Sequence, residues 1–138
     1  MATTGRSGCP INLAIELFGD RWTLLILRDI IFADRRHFRE LLRGSEEKIT
    51  SSILADRIDR LVAAGILTRA DDPTHKQKAV YSLTSSGLDL VPVLATIGNW
   101  GATHCPAEPD RAAVARALDY ELPASWAALM DSLRLEHL

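Results

Sequence analysis

The chain contains few cysteines and no long apolar run. Its two cysteines, Cys9 and Cys105, are too few for the disulfide framework of a small secreted domain, so a cytoplasmic protein with reduced thiols is predicted. The apolar run at 24–27 ends at two charged residues, far short of the roughly 20 residues that a membrane-spanning helix needs. Residues 1–8 are polar and lack the apolar region of a secretory signal, so a short flexible tail is expected.

Motifs of enzymes and cofactor sites are also missing. The chain has no glycine-rich phosphate loop, no His-Glu-x-x-His pair, no paired Cys-x-x-Cys and no nucleophile elbow. We therefore predict that it is not an enzyme and uses no cofactor. His104, Cys105 and Cys9 offer soft ligands, but they lack regular ligand spacing, so no metal is predicted.

The residues that are present predict one globular domain with a small C-terminal addition. The 138 residues are 47% apolar and 25% charged, which is typical of a protein with a substantial core. The net charge of −2 by itself disfavours nucleic acid. Residues 21–80, however, hold 12 Lys/Arg against 9 Asp/Glu, whereas residues 81–138 hold 3 against 7. Positive charge is therefore concentrated in one part of the chain, as a DNA-binding surface requires.

The stretch from Phe38 to Leu83 predicts a helix, a turn, a second helix and a β-hairpin, in that order. A short helix at 38–43 is stopped by Gly44, and a longer one extends from Thr50 to Gly65. Strand-like runs at 66–70 and 79–83 flank a wing at 71–78, whose basic turn is 74–78. This order predicts a winged helix-turn-helix, mostly α with a small β-hairpin.

The second helix of this motif carries strong local start and stop signals. Thr50 suits the N-cap because its hydroxyl can accept a hydrogen bond from a first-turn amide. Ile49 and Leu54 match a hydrophobic staple, and Gly65 suits the C′ position. The residues expected to face the core follow helical spacing and are Leu54, Ile58, Leu61 and Val62.

Two helices are expected before the motif. Pro10 favours a helix that ends near Gly19, with an apolar stripe of Ile11, Ala14, Ile15 and Phe18. Asp20 can cap the next helix, 21–32, in which Arg28 and Asp29 are expected to lie outside. The buried face predicted for that helix is Trp22, Leu25, Ile26, Ile30 and Ile31.

Further helices are expected after the wing. One extends from Thr84 or Ser85 to about Gly101 and is apolar on more than one side, as a helix that meets a partner would be. Two short helices follow, at 110–122 and 123–135. The predicted organisation is a flexible tail (1–8), a winged helix domain that also dimerises (9–105) and a helical extension (106–138).

The candidate DNA-binding residues are short hydroxyls and cations. Thr50, Ser51 and Ser52 allow a helix N-terminus to approach DNA closely, although capping alone explains one of them. Arg57 and Arg60 can reach phosphates or guanine edges, or they can pair with the nearby Asp56 and Asp59. The candidates for backbone or minor-groove contact are the wing residues His75, Lys76 and Lys78 and, before the motif, Arg35, Arg36, His37 and Arg39.

These residues resemble the HxlR-type family of bacterial winged helix transcription regulators over about residues 9–104. The chain matches the family's Cys-Pro start, Gly-x-x-Trp element and Leu-rich helix in CPINLAIELFGDRWTLLILRDI, and its Arg-Phe-x-Glu-Leu helix in RHFRELLRG. It also matches the recognition helix in ITSSILADRIDRLVAAGIL and the Tyr-x-Leu-Thr-x-x-Gly segment in YSLTSSGLDLVPVLATIGNWG. The resemblance implies a homodimer built from the first and post-wing helices, with one recognition helix per half-site. It also implies a response to small electrophiles, oxidants or metabolites, with Cys9 at the position of the family's N-terminal sensor.

Three functions stay open at this stage. The first is a dimeric regulator that binds a pseudo-palindromic operator in double-stranded DNA. The second is a thiol-switched regulator, in which Cys9 lies where the helix dipole and free amides favour the thiolate and approaches Cys105 of the partner subunit. The third is a winged helix used only as a protein-interaction module. A ligand-gated version would use Trp100, Tyr120 and Trp126 as an aromatic pocket, although core packing suits all three.

Overall fold

The computed structural model describes residues 5–118 and, beyond them, residue 128 and the pairs 131–132 and 135–136, with the side chains at 76 and 77 excepted. The expected mostly helical architecture with one β-hairpin is confirmed. The elements are α1 (Pro10–Phe18), α2 (Thr23–Ala33), α3 (Phe38–Arg43), α4 (Ser51–Ala63), β1 (Leu67–Asp72), β2 (His75–Leu83), α5 (Ser85–Leu88), α6 (Val91–His104) and α7 (Pro109–Arg116). The helix expected at 123–135, with Tyr120 and Trp126, lies largely outside the described residues.

The chain divides into two compact units, residues 1–94 and 95–138. The core of the first unit combines buried side chains from α2, α3, α4 and the hairpin, among them Leu27, Leu41, Leu54, Ile58, Leu61 and Leu67. In the second unit, Ala95 and Ala112 are buried, and the guanidinium of Arg116 donates a hydrogen bond to the carbonyl of Ala102 at 3.0 Å.

Helix α4 has the ends that its sequence predicts. The Thr50 hydroxyl caps the helix by accepting from the amide of Ile53 at 3.4 Å. At the other end, Gly65 adopts φ +73°, and the amides of Gly65 and Ile66 donate to the carbonyls of Val62 and Leu61. This pattern is a Schellman motif, which satisfies the last carbonyls and turns the chain into the hairpin. The two ends of α4 are therefore set by residues within and next to it.

Helix α2 differs from the prediction in its buried face. Leu27, which the prediction leaves out of that face, is completely buried. Asp29 is also buried, although it was expected to lie outside. Its carboxylate accepts from Arg28 Nε at 2.9 Å and lies 3.6 Å from Arg35 Nη1. A carboxylate that is paired in this way can be buried at an acceptable cost in free energy. Asp20 accepts from the amides of Trp22 and Thr23, as a capping residue would, but the regular helix begins only at Thr23.

The hairpin is longer than the sequence predicts. The side chain of Asp72 accepts from the amide and the hydroxyl of Thr74, which closes a tight turn at Pro73 and Thr74. The basic residues expected in the turn therefore belong to β2. Asp71 pairs with Ala79 but Asp72 pairs with His75, so residues 76–78 form an irregular, bulged stretch of that strand.

The single helix expected after the wing is two helices, α5 and α6. Thr84 caps α5 by accepting from the amide of Gly87 at 3.2 Å. Pro92 lies at the start of α6 and explains the break, since a proline cannot donate a helical hydrogen bond and its ring disfavours a preceding helical turn. Helix α6 then continues to His104, past the expected end at Gly101.

Candidate nucleic-acid interface

The exposed face of α4 is the centre of the candidate interface. Leu54, Ile58 and Leu61 are buried against the core, so the opposite face of the helix is turned to solvent. The exposed side chains on that face are Ser51, Ser52, Asp56, Asp59 and Arg60. No described residue outside α4 covers its first turn by a hydrogen bond, so the helix N-terminus is accessible to a large partner.

The first turn of α4 combines small hydroxyls with the positive end of the helix dipole. Thr50 is occupied as the cap, and its hydroxyl also lies 3.4 Å from the hydroxyl of Ser52. Ser51 and Ser52 are exposed beside the free amides of the first turn. Such a turn can donate hydrogen bonds to a phosphate or approach the edges of bases.

The two arginines of α4 have different environments. Arg60 has 68% of its side chain exposed and makes one ion pair along the helix, with Asp56 at 3.1 Å. Arg57 is only 20% exposed, and its Nε donates to Asp20 Oδ2 at 2.9 Å while Nη1 donates to Asp56 at 2.6 Å. Arg57 therefore ties α4 to the segment that precedes α2, whereas Arg60 projects from the exposed face.

The Asp20 carboxylate shows how strongly this tie is integrated into the fold. Burial raises the pKa of Asp20, but hydrogen bonds from Thr23, Arg57 and the amide of Trp22 outweigh burial and hold the pKa at about 2. Asp20 is therefore ionised throughout the neutral range and presents a full negative charge to Arg57.

Arg36 and His37 are both engaged by the hairpin. The amide of Tyr81 donates to the carbonyl of Arg36 at 2.9 Å, and Arg36 Nε donates to the carbonyl of Tyr81 at 3.1 Å. His37 lies between two carboxylates, with Nδ1 2.5 Å from Glu40 and Nε2 2.8 Å from Asp72. Arg36 and His37 thus hold the wing to the start of α3.

The charge state of His37 follows from this geometry. An ionised carboxylate can only accept, so both contacts are hydrogen bonds only when both ring nitrogens carry protons. Glu40 and, after it, Asp72 raise the pKa of His37. The pKa of Glu40 is lowered in return, and hydrogen bonds from Thr74 and from His37 lower the pKa of Asp72 to about 2.

The wing and α3 carry exposed cations that face a common cleft. His75 and Lys78 are exposed on β2, and Lys76 lies on the same bulged stretch. Arg39 and Arg43 are exposed one turn apart on α3, and with β2 they line a cleft of about 720 Å³. Arg43 was not among the candidates from sequence, although its i, i+4 spacing from Arg39 on a short helix was a readable signal.

The two cysteines and several apolar side chains on α1 and α6 are exposed, on the helices from which a dimer is expected. Cys9 is an exposed thiol at the N-cap of α1, and Cys105 is an exposed thiol just after α6. Helix α1 buries none of its residues, and Ile11 is 72% exposed. In the second unit, Trp100 on α6 is 63% exposed and its ring lies 5.0 Å from that of His104.

No group of three His, Cys, Asp or Glu side chains within the described part of the chain could hold a metal ion. Among the same residues, no helix is long and apolar enough to cross a membrane.

Comparison with known proteins decides the family. A family model described as HxlR-like helix-turn-helix matches residues 17–109, about two thirds of the chain. The chain belongs to the HxlR-like helix-turn-helix family. This confirms the resemblance found in the sequence and the winged helix-turn-helix fold.

The relatives of this HxlR-like chain carry regulator names. It is 35% identical over 99 residues to the uncharacterized HTH-type transcriptional regulator Rv3095 of Mycobacterium tuberculosis. The aligned region covers 72% of this chain and 61% of that protein. The chain thus spans about three fifths of the length of such curated relatives.

Solved structures agree with the family assignment. PA1607, described as a candidate transcription factor, superimposes with a TM-score of 0.68 at 29% identity, covering 75% of this chain and 70% of that one. The oxidised form of the redox regulator HypR superimposes with a TM-score of 0.62 at 27% identity, covering 72% and 100%.

Proposed function

We propose that this chain is a DNA-binding transcription regulator that acts as a homodimer and is not an enzyme. Helix α4 enters the major groove, and the wing contacts the flanking backbone. The observation that carries the proposal is the exposed first turn of α4, where Ser51 and Ser52 stand beside free helix amides and Arg60 projects from the same face. The regulator names of the family relatives support the same function.

The proposed DNA contacts fall into two groups. Thr50, Ser51, Ser52 and Arg60 contact bases or phosphates from α4, and His75, Lys76 and Lys78 contact the backbone from the wing. Arg36, His37 and Arg57 act mainly through the fold, because their side chains hold the wing and α4 in place. This division assigns the exposed side chains of α4, together with the basic residues of the wing, to the nucleic acid.

A salt-controlled titration tests the proposal. Arg60→Ala weakens binding to an operator duplex, and it reduces the dependence of affinity on salt by about one phosphate contact. Arg111→Ala, an equal loss of charge on α7, serves as the matched control and leaves affinity unchanged. Equal affinities for the two variants, or no binding by the wild type at low salt, would contradict the proposal. The second result would favour a protein-interaction module, because even non-specific DNA binding is visible at low salt.

The homodimer is supported by the exposed apolar residues of α1. A helix that buries none of its residues in its own chain gains stability when a second copy covers it. Two-fold symmetry would place the two recognition helices roughly 34 Å apart on a pseudo-palindromic operator. We expect Ile11→Glu to shift the protein to monomer in sedimentation velocity. Val114→Glu, on the exposed face of α7, is the control and leaves the dimer intact.

A thiol switch is a second candidate function, favoured by two exposed free thiols and by the similarity to HypR, which is named a redox regulator. In this mechanism, an oxidant removes two electrons and two protons from the thiols of Cys9 and Cys105 of the partner subunit, and a disulfide forms. Diamide should then produce a covalent dimer on a non-reducing gel, which either Cys9→Ser or Cys105→Ser abolishes. A wild type that stays monomeric on that gel would rule the switch out.

A further inference from the structure

The cleft between α3 and β2, defined by Arg39, Arg43, Lys78, Ala79 and Tyr81 together with Phe38, has room for a small molecule. Its volume of about 720 Å³ lies within the range of roughly 300–1,000 Å³ that is typical of small-molecule sites. A molecule with a larger body than a phosphate therefore fits in it.

The charges of the cleft select an anion. Arg39, Arg43 and Lys78 are the basic side chains that define the cleft, and within residues 5–118 they make no ion pair. Among the described lining residues the carboxylate is Glu40, which lies 2.5 Å from His37. His37 is shared with Asp72, so one negative charge remains in this group, and the three cations outnumber it. Arg39 and Arg43 are one helical turn apart, so their guanidinium groups can converge on one carboxylate in the forked geometry that arginine favours.

The apolar side chains that line the cleft favour a ligand with a flat ring. Phe38, Ala79 and Tyr81 provide apolar surface behind the cations. Tyr81 is buried, and its ring is already approached by the guanidinium of Arg69 at 5.5 Å, which fixes its orientation. Arginine side chains stack on aromatic faces as well as binding carboxylates, so a flat ring that carries a carboxylate satisfies both parts of the site.

We propose that the α3–wing cleft binds a small aromatic carboxylate. The carboxylate lies between Arg39 and Arg43, and the ring lies against Phe38 and Ala79. One wall of the cleft is the wing and the other is α3. A bound molecule therefore influences the spacing between these two elements of the DNA-binding motif. The binding step is independent of the proposed DNA function, whereas the regulatory consequence rests on that function.

Nuclear magnetic resonance of the full chain tests the binding step without DNA. Benzoate is the probe, benzyl alcohol is the uncharged match, and inorganic phosphate is the anion without a ring. We expect saturable shifts at the amides of Arg43, Ala79 and Tyr81 with benzoate, and no saturable shifts there with benzyl alcohol or phosphate.

Three variants complete the test. Arg43→Gln should weaken benzoate binding by about tenfold, since it removes one charge-assisted fork. Ala79→Leu fills the apolar wall and should abolish binding, while Arg21→Gln, an equal loss of an exposed arginine outside the cleft, should leave it unchanged. A dispersed spectrum in the absence of probe shows that each variant is folded.

Several results would overturn the proposal. These are the absence of saturable shifts, equal binding by wild type and Ala79→Leu, or equal binding of phosphate and benzoate. A separate titration with operator DNA tests the consequence. If benzoate binds in the cleft but leaves DNA affinity unchanged, the regulatory link is refuted and the site stands. If the protein binds benzoate but no DNA at all, the proposed function fails and the site stands.

Discussion

Separate replacement of the two α4 arginines tests whether the helix uses one for folding and the other for DNA. Arg57 is mostly covered and donates to Asp20 at 2.9 Å, whereas Arg60 is mostly exposed and pairs only along its own helix. Arg57→Ala should therefore lower the stability measured by urea unfolding and largely keep DNA binding. Arg60→Ala should lower the affinity measured by DNA titration and largely keep stability. The design is internally controlled, because both variants lose the same side chain from the same helix.

The expected loss of stability in Arg57→Ala follows from the environment of Asp20. A pKa of about 2 in place of the ordinary 3.8 corresponds to about 2.5 kcal/mol at neutral pH for all the hydrogen bonds of that carboxylate together. Arg57 supplies one of several bonds, and solvent screens part of the interaction since 29% of the Asp20 side chain is exposed. We expect a loss of about 1 kcal/mol, or roughly 3–5 °C in Tm. Arg60→Ala should stay within about 0.5 kcal/mol of the wild type.

The pH dependence of the difference gives a further check. The folded-state pKa of Asp20 is lowered, so its contribution to stability is present above the unfolded value of 3.8 and is lost as the pH falls through about 2. The gap in unfolding free energy between wild type and Arg57→Ala should therefore narrow on acidification. In DNA titrations, Arg60→Ala should bind about tenfold more weakly, and Arg57→Ala should keep the salt slope of the wild type. Unchanged stability in Arg57→Ala, together with a loss of affinity equal to that of Arg60→Ala, would refute the division.

Three other changes probe the fold that positions this surface. Gly65→Ala should lower the free energy of unfolding in urea by about 1–2 kcal/mol, because the residue adopts φ +73°, which alanine disfavours. A Cβ at this position would meet no atom within 4 Å, so the cost comes from the backbone and not from a clash. Gly65→Asn should cost less. The raised pKa of His37 in the folded state means that its contribution to the free energy of unfolding is full below about pH 6.5 and is lost as the pH rises through the folded-state pKa. His37→Gln should therefore lack this decrease in stability on going to alkaline pH. A parallel decline in both proteins between pH 6 and 9 would contradict this. Leu54→Ala should cost about 2–5 kcal/mol, since the side chain is completely buried, and circular dichroism during thermal unfolding measures it.

The features that the sequence predicted correctly are those whose causes are local. The cap at Thr50, the buried residues Ile49 and Leu54, and the glycine at 65 all lie at or near the ends of α4, so each can be read from neighbouring residues. The break at Pro92 was equally local, and the proline was the available signal for it. The prediction of one continuous helix leaves this proline out of account and is wrong, since the structure has two helices, α5 and α6.

The features that the sequence did not predict depend on contacts between distant residues. Arg57 and Asp20 are 37 residues apart, and Arg36 and Tyr81 are 45 apart, so no periodicity can show that these arginines are engaged in the fold. The burial of Asp29 has nearer partners, Arg28 and Arg35, but helical spacing alone does not show that they pair with it. A candidate list from composition therefore mixes cations that hold the fold together with cations that remain at its surface.

The overall charge of −2 does not show which cations are engaged in the fold and which remain at the surface. The ion pairs explain how a nearly neutral chain can still present a positive surface. Residues 21–80 contain nine acidic residues, and at least six of them are in ion pairs within the fold: Asp29, Glu40, Glu47, Asp56, Asp59 and Asp72. Each such pair cancels a cation at short range, so its field falls off quickly with distance. Part of the local excess of three cations is expressed at Arg39, Arg43 and Lys78, which make no ion pair within residues 5–118. These residues belong to α3 and β2, on either side of the cleft. An approaching polyanion or small carboxylate therefore meets the unpaired charges of the motif rather than the average charge of the chain.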